Sequence, residues 1–140
     1  MEKNILNEAL FSFTQDREGS EERILCYVQM LIEDGAHVNL RGRYGFTPLI
    51  NAAERGYVKV VKFLIEKGAD VNATTGSINE VRTALMLAAD NGHEKVCQLL
   101  INSGADVNHS RLGGVTVLMV ARRKGHEKIA ELLRQHGATE

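Results

Sequence analysis

The chain has 140 residues, of which 44% are hydrophobic and 25% charged, and its formal net charge at pH 7 is −1. This length fits one domain, and the interleaving of 17 Lys and Arg with 18 Asp and Glu argues against a nucleic-acid-binding protein. No apolar run approaches the roughly 20 residues that cross a bilayer, and the N-terminus lacks the basic and apolar regions of a signal peptide.

The first predicted elements are two helices separated by a polar loop. We predict a helix over Lys3–Phe13, followed by the loop "TQDREGS". A second helix is predicted over Ser20–Asp34, because Ser20 is a favourable N-cap and Glu21 and Glu22 place negative charge in the first turn. The N-terminal segment is therefore expected to form a helix pair.

A second helix pair is predicted after Thr47. Thr47 as the N-cap and Pro48 at the first helical position indicate a helix that ends at Gly56. Another helix with one apolar face is predicted over Val58–Lys67, and Gly68 is placed to terminate it.

The same pattern returns along the rest of the chain. The dipeptide Gly-Ala occurs at residues 35, 68, 104 and 137, so the spacings are 33, 36 and 33 residues. Threonine at positions 47, 83 and 116 and glycine at positions 56, 92 and 125 repeat with matching intervals. Three anchors with one period indicate stacked copies of one helix pair.

The segment Gly45–Ala73, "GFTPLINAAERGYVKVVKFLIEKGADVNA", carries this pattern most completely, and it resembles the ankyrin-repeat family. The resemblance covers residues 20–140 and implies an all-α solenoid of stacked helix-turn-helix units joined by β-turn or hairpin loops. We divide the chain into four repeats, at about residues 1–39, 40–72, 73–108 and 109–140. The first is a degenerate N-terminal cap, and the last, with Arg122 and Arg134 in otherwise apolar columns, is a C-terminal cap.

The turn that leads into the third helix pair is longer than its counterparts. From Val71 to Thr83 is 12 residues, against 9 between the equivalent positions of the neighbouring turns. Three extra residues therefore lie in the segment Thr74–Glu80, with the apolar Ile78 near its tip. Such insertions often map to a binding face, although a tolerated surface loop is the alternative.

No catalytic or metal-binding constellation is found in the sequence. The phrase "GHEK" at His93 and His126 lacks the second histidine of HExxH, so we interpret both histidines as turn residues. Cys97 falls in a core column and Cys26 in an exposed one, and the two match neither a zinc nor a CxxC spacing. We therefore expect no enzyme activity, no cofactor and no metal. We also expect the protein to reside in a reducing compartment, the cytoplasm or the nucleus.

Asn72 and Asn108 end the repeated phrase "GADVN". In their contexts "LIEKGADVN" and "LINSGADVN" they resemble the acceptors of an asparaginyl hydroxylase that modifies ankyrin repeats. We favour a structural role in the turn between repeats, because this asparagine belongs to the repeat pattern itself.

The resemblance implies a monomeric, non-catalytic module that binds a protein partner on its concave face, as an inhibitor or adaptor. A secreted bacterial effector that engages a host protein in the host cytosol is the alternative, and we disfavour a nucleic-acid binder, a membrane protein and an enzyme. Tyr44 stands out as an aromatic residue at a turn tip, whereas Phe46 either binds or packs on the next turn. The predicted partner-binding residues, chosen by their repeat columns, are Arg43, Tyr44, Phe46, Asn51, Arg55, Ile78, Asn79, Arg82, Leu87, Asp90, Asn91, Leu112, Val115, Arg123 and Lys124.

Overall fold

The computed structural model describes residues 2–15, 19–76 and 80–139, which contain four successive pairs of α-helices. The odd-numbered helices form an inner row, in which α1 contacts α3, α3 contacts α5 and α5 contacts α7, and the even-numbered helices form an outer row in the same way. The predicted all-α solenoid is thereby confirmed. The helices are α1 (Glu2–Gln15), α2 (Glu21–Glu33), α3 (Pro48–Arg55), α4 (Val58–Glu66), α5 (Ala84–Asp90), α6 (Glu94–Asn102), α7 (Val117–Arg123) and α8 (Glu127–Gln135).

Short extended segments connect the helix pairs. In the last connection, β1 (Ser110–Arg111) pairs with β2 (Val115–Thr116) in an antiparallel hairpin. Thr74 forms a single antiparallel bridge with Thr83 at the equivalent place one repeat earlier. The connection before α3 contains a 3₁₀ turn at Arg43–Gly45. These turns and hairpins agree with the predicted loops.

Each inner helix after the first begins at a threonine N-cap. The hydroxyl oxygens of Thr47, Thr83 and Thr116 accept the backbone N–H three residues further on, at 3.2, 3.2 and 3.3 Å. Ser20 caps α2 in the same way, at 3.4 Å. These bonds satisfy N–H groups that have no partner inside the helix. Since capping is local, the helix starts predicted at Ser20 and Thr47 are correct, whereas α1 is longer at both ends than predicted.

The core lies between the two rows of helices and continues through all four pairs. Small buried residues, among them Ala53, Ala89 and Ala121, allow the inner helices to approach one another closely. Leu64, Leu100 and Leu133 fill the space below them and are fully buried. Because one pair has nothing to cover its apolar face, each pair depends on its neighbours for stability.

Three asparagines tie each connection to the next one. The side-chain amides of Asn39, Asn72 and Asn108 donate to the carbonyl oxygens of glycines in the next repeat, at 3.1, 3.1 and 3.2 Å. Their carbonyl oxygens accept a backbone N–H from that repeat, at 2.8, 2.8 and 2.9 Å. This asparagine ladder gives Asn72 and Asn108 the predicted turn role.

Helix α1 completes the inner row although its sequence lacks the threonine-capped motif. The Asn7 side-chain oxygen accepts the backbone N–H of His37 at 2.8 Å, and the ring of Phe11 lies directly on Gly42. A Cβ atom at Gly42 would stand 2.3 Å from that ring, so any larger residue there would have to displace the ring. Helix α1 therefore packs on the connection between α2 and α3.

Candidate functional site

A groove runs across the inner face between α5 and α7. We call it the basic groove; its volume is about 310 Å³. Its sides carry four basic side chains and one carboxylate, and its floor is apolar. The lining residues are Arg82, Met86, Leu87, Asp90, Arg111, Val120, Arg123 and Lys124.

The repeat architecture places these side chains. Asp90 is the last residue of α5, Arg123 is the last residue of α7, and Lys124 follows as its C-cap, so equivalent ends of two inner helices face the same groove. Arg111 comes from the hairpin strand β1, opposite Val115. Two helix ends and one hairpin therefore bring residues from separate repeats together.

Ion pairs neutralise part of the positive charge of the basic groove. Lys124 Nζ lies 3.6 Å from Asp90 Oδ1, and Arg82 Nη2 lies 3.1 Å from the Glu80 carboxylate. No carboxylate within the described residues forms an ion pair with Arg111 or Arg123. The basic groove thus holds an excess of positive charge in a protein whose net charge is −1.

A second groove of about 310 Å³ lies beside the first and shares Arg82 with it. This aromatic groove is lined by Tyr44, Phe46, Thr75, Glu80 and Arg82. The Arg82 Nε atom is buried and has no hydrogen-bond partner among the described residues. A buried donor without a hydrogen-bond partner is uncommon in folded proteins.

Tyr44 is held in a strained backbone conformation with its ring in solvent. Its φ of 61° lies in the left-handed region, which is unusual for a residue with a side chain, and 71% of the residue is exposed. The Gly76 N–H donates to the Tyr44 carbonyl at 2.7 Å, and a Cβ at Gly45 would stand 2.3 Å from the Gly76 nitrogen. The base of the longer connection therefore packs on the turn that presents Tyr44.

The described part of that longer connection is well anchored. Thr75 is buried, and its hydroxyl donates to the Glu80 carbonyl at 2.8 Å and accepts the Arg82 N–H at 3.1 Å. The predicted residues Ile78 and Asn79 lie outside the described residues.

The remaining predicted residues differ in exposure. Phe46 packs against the core, which favours the packing interpretation, while Asp90 and Arg82 take part in the ion pairs above. Asn91 is exposed and its amide donates to the Glu54 and Leu87 carbonyl oxygens, at 3.3 and 3.0 Å. The exposed residues of the set are Arg43, Tyr44, Asn91, Leu112, Arg123 and Lys124, and the half-buried ones are Phe46, Arg55, Arg82, Asp90 and Val115.

Two predicted residues are not on the surface, and the expectation that they are exposed is wrong. Asn51 is 3% exposed because α1 covers it, and its amide donates to the Thr14 hydroxyl at 3.4 Å. Leu87 is also 3% exposed and closes the floor of the basic groove. Arg111 is not among the predicted residues, because its position depends on the hairpin register; the "RLGG" turn was the available signal.

The histidines and cysteines behave as the sequence indicated. His93 Nε2 lies 2.9 Å from the Glu54 carbonyl oxygen, and His126 Nε2 lies 3.2 Å from that of Asp90, so both rings link adjacent repeats. Cys26 is exposed and Cys97 is buried, and burial raises the pKa of the Cys97 thiol to about 12.

The described residues contain no group of three or more His, Cys, Asp and Glu that could hold a metal ion. Within the same ranges, every helix is too short or too polar to cross a membrane.

Comparisons with known proteins point to one family. A family model described as ankyrin repeats (3 copies) matches residues 6–75 and again residues 76–139. The ankyrin repeat and KH domain-containing protein mask of Drosophila melanogaster is 48% identical over 46 residues, which are 33% of this chain and 1% of that protein. A putative ankyrin repeat protein of fowlpox virus is 36% identical over 72 residues, 51% of this chain and 11% of that protein. Ankyrin repeat domain-containing protein 49 of Bos taurus is 46% identical over 57 residues, 40% of this chain and 24% of that protein. The chain therefore spans less than a quarter of the length of each of these relatives.

Proposed function

Because the chain belongs to the ankyrin-repeat family, whose members are generally protein–protein interaction modules, we propose that it binds a protein partner through its inner face without catalysing a reaction. It acts by occupying the partner's surface, as an inhibitor or an adaptor, and works as a monomer in the cytoplasm or nucleus. The observation that supports this proposal is the pair of grooves that meet at Arg82. One presents an exposed aromatic ring and the other presents unpaired guanidinium groups, and both residue types are enriched among those that dominate binding energy.

The surface composition favours a protein over a nucleic acid as the partner. Glu80 and Asp90 carry negative charge among the basic residues of the two grooves. A nucleic-acid interface would need a continuous basic face and would lose affinity steeply with salt. The alternative of a bacterial effector differs in where the partner resides, and the same inner face would serve it.

The test compares capture by three forms of the protein. The wild type, a Tyr44→Ala/Arg123→Ala variant of the inner face and a matched Lys62→Ala/Lys95→Ala variant are immobilised after circular dichroism has shown equal helix content. Lys62 and Lys95 are exposed on the outer helices α4 and α6. Cell lysates are then passed over each form, and the retained proteins are quantified by mass spectrometry.

We expect at least one protein to be retained by the wild type and by the outer variant and to be lost from the inner-face variant. Equal capture by all three forms would contradict binding through the inner face. If no form captured a protein and the wild type instead converted a small molecule from the lysate, the interaction role as a whole would be contradicted.

A further inference from the structure

We propose that the basic groove receives an acidic segment of the protein partner, with carboxylates on Arg111 and Arg123 and an aliphatic side chain above the apolar floor. This inference rests on the proposed function, because it specifies which chemistry the inner face recognises. It rests on the juxtaposition of two guanidinium groups without carboxylate partners and a shared buried donor at Arg82.

Carboxylates neutralise only part of the positive charge in the basic groove. Of its four basic side chains, Lys124 is paired with Asp90 and Arg82 with Glu80. Arg111 and Arg123 remain without a carboxylate partner among the described residues. Arginine binds carboxylates through two parallel N–H···O bonds, so this pair matches the Asp or Glu side chains of a partner.

The charge at the ends of the inner helices changes along the solenoid. The equivalent positions at the ends of the inner helices are Glu54 in α3, Asp90 in α5 and Arg123 in α7, so the charge changes from negative to positive along the solenoid. The aromatic groove, with Tyr44 at its edge, lies towards the negative end. We therefore expect the acidic part of the partner segment to lie over α7, and an apolar part to lie towards Tyr44.

The floor and the size of the basic groove favour a short peptide segment. Met86, Leu87 and Val120 line the basic groove, and its volume of about 310 Å³ suits a few side chains. Phosphates of a polynucleotide would gain little from an apolar floor. A short peptide segment that combines carboxylates with one aliphatic side chain fits both properties.

The experiment uses the full chain and a displayed library of random short peptides. Selections are made on the wild type, on an Arg111→Glu/Arg123→Glu variant and on a Lys62→Glu/Lys95→Glu control, which makes the same charge change on the outer helices. We expect peptides rich in Asp and Glu beside an aliphatic residue from the wild type and the control, and none of these from the groove variant. By fluorescence anisotropy, the groove variant should bind the best peptide at least about tenfold more weakly. The same loss is expected for the wild type with the peptide's Asn and Gln counterpart.

The possible outcomes separate this inference from the proposed function. Selected peptides without excess Asp and Glu that bind the wild type but not the Tyr44→Ala/Arg123→Ala variant would overturn the acidic preference and leave the inner face as the binding surface. Acidic peptides that bind both charge variants equally would remove the groove as their site, and so would a selection that yields no peptide distinguishing them. Tighter binding of oligothymidylate than of any peptide, lost in the groove variant, would replace the peptide by a nucleic acid.

Discussion

Three glycines in equivalent positions permit a matched test of the contacts between repeats. Gly56, Gly92 and Gly125 have φ angles of 76°, 75° and 77°, so an alanine at each would suffer the same left-handed strain. Their surroundings differ. A Cβ at Gly56 would stand 2.5 Å from the His93 ring and a Cβ at Gly92 would stand 2.8 Å from the His126 ring, whereas no atom lies within 4 Å of a Cβ at Gly125.

The magnitudes follow from these contacts. Gly125→Ala should lower the free energy of unfolding by about 1 kcal/mol, because left-handed strain costs about 1–2 kcal/mol and reduced freedom of the unfolded chain offsets part of it. Gly56→Ala must also displace the His93 ring, which then loses its 2.9 Å hydrogen bond to the Glu54 carbonyl oxygen. We therefore expect Gly56→Ala to be more destabilising than Gly125→Ala by about 1–2 kcal/mol.

Urea unfolding followed by far-ultraviolet circular dichroism measures these differences, since the chain contains no tryptophan. The double variant Gly56→Ala/His93→Ala is the control. With the ring removed, the added methyl group has room, so the cost of Gly56→Ala should fall to that of Gly125→Ala. Equal destabilisation by Gly56→Ala and Gly125→Ala, or strict additivity in the double variant, would refute the role of the histidine in coupling the repeats.

Three further predictions concern single side chains. Cys26 should react with a thiol reagent in the native state and Cys97 only after unfolding, because burial raises the Cys97 pKa to about 12. Labelling of Cys97 in the native state, detected by mass spectrometry of partially labelled protein, would contradict this expectation. The hydrogen bond from Lys59 lowers the pKa of Glu22 below 4.5, so the stability advantage of the wild type over Glu22→Gln is present above pH 4.5 and is lost as the pH falls through the folded-state pKa; an advantage that grows on acidification would contradict this sign. Tyr44→Gly should leave the free energy of unfolding unchanged or raise it by up to about 1 kcal/mol, because it relieves left-handed strain; a loss greater than this in urea unfolding would show that the exposed ring packs in the folded state.

The parts of the fold that depend on neighbouring residues in the sequence could be predicted from it. The caps at Thr47, Thr83 and Thr116 involve a hydroxyl and an N–H three residues apart, and the terminating glycines act within one turn. The core columns follow from the repeat period, and for this reason Cys97 was correctly placed inside.

Burial along the inner helices was harder to predict, because it depends on which element covers a given column. Asn51 and Leu87 share one repeat column, which was expected to be exposed, but both residues are only 3% exposed; α1 lies over Asn51, and Thr14 accepts its amide hydrogen bond. Helix α1 lacks the repeat motif, so no column of the alignment shows how it packs. Arg111 was missed for a related reason, since the strand register decides which hairpin side chains face the groove.

Because of the asparagine ladder, a connection can change in length without a change in the hydrogen bonds between adjacent repeats. Asn39 and Asn72 make the same pair of hydrogen bonds at the same distances, although the connection that follows Asn72 is three residues longer. The difference appears only beyond the ladder, where Thr74 pairs with Thr83 while Ser110 pairs with Thr116. A protein built in this way can change the reach of one loop during evolution, or accept a grafted recognition sequence there, without any compensating change in the helices.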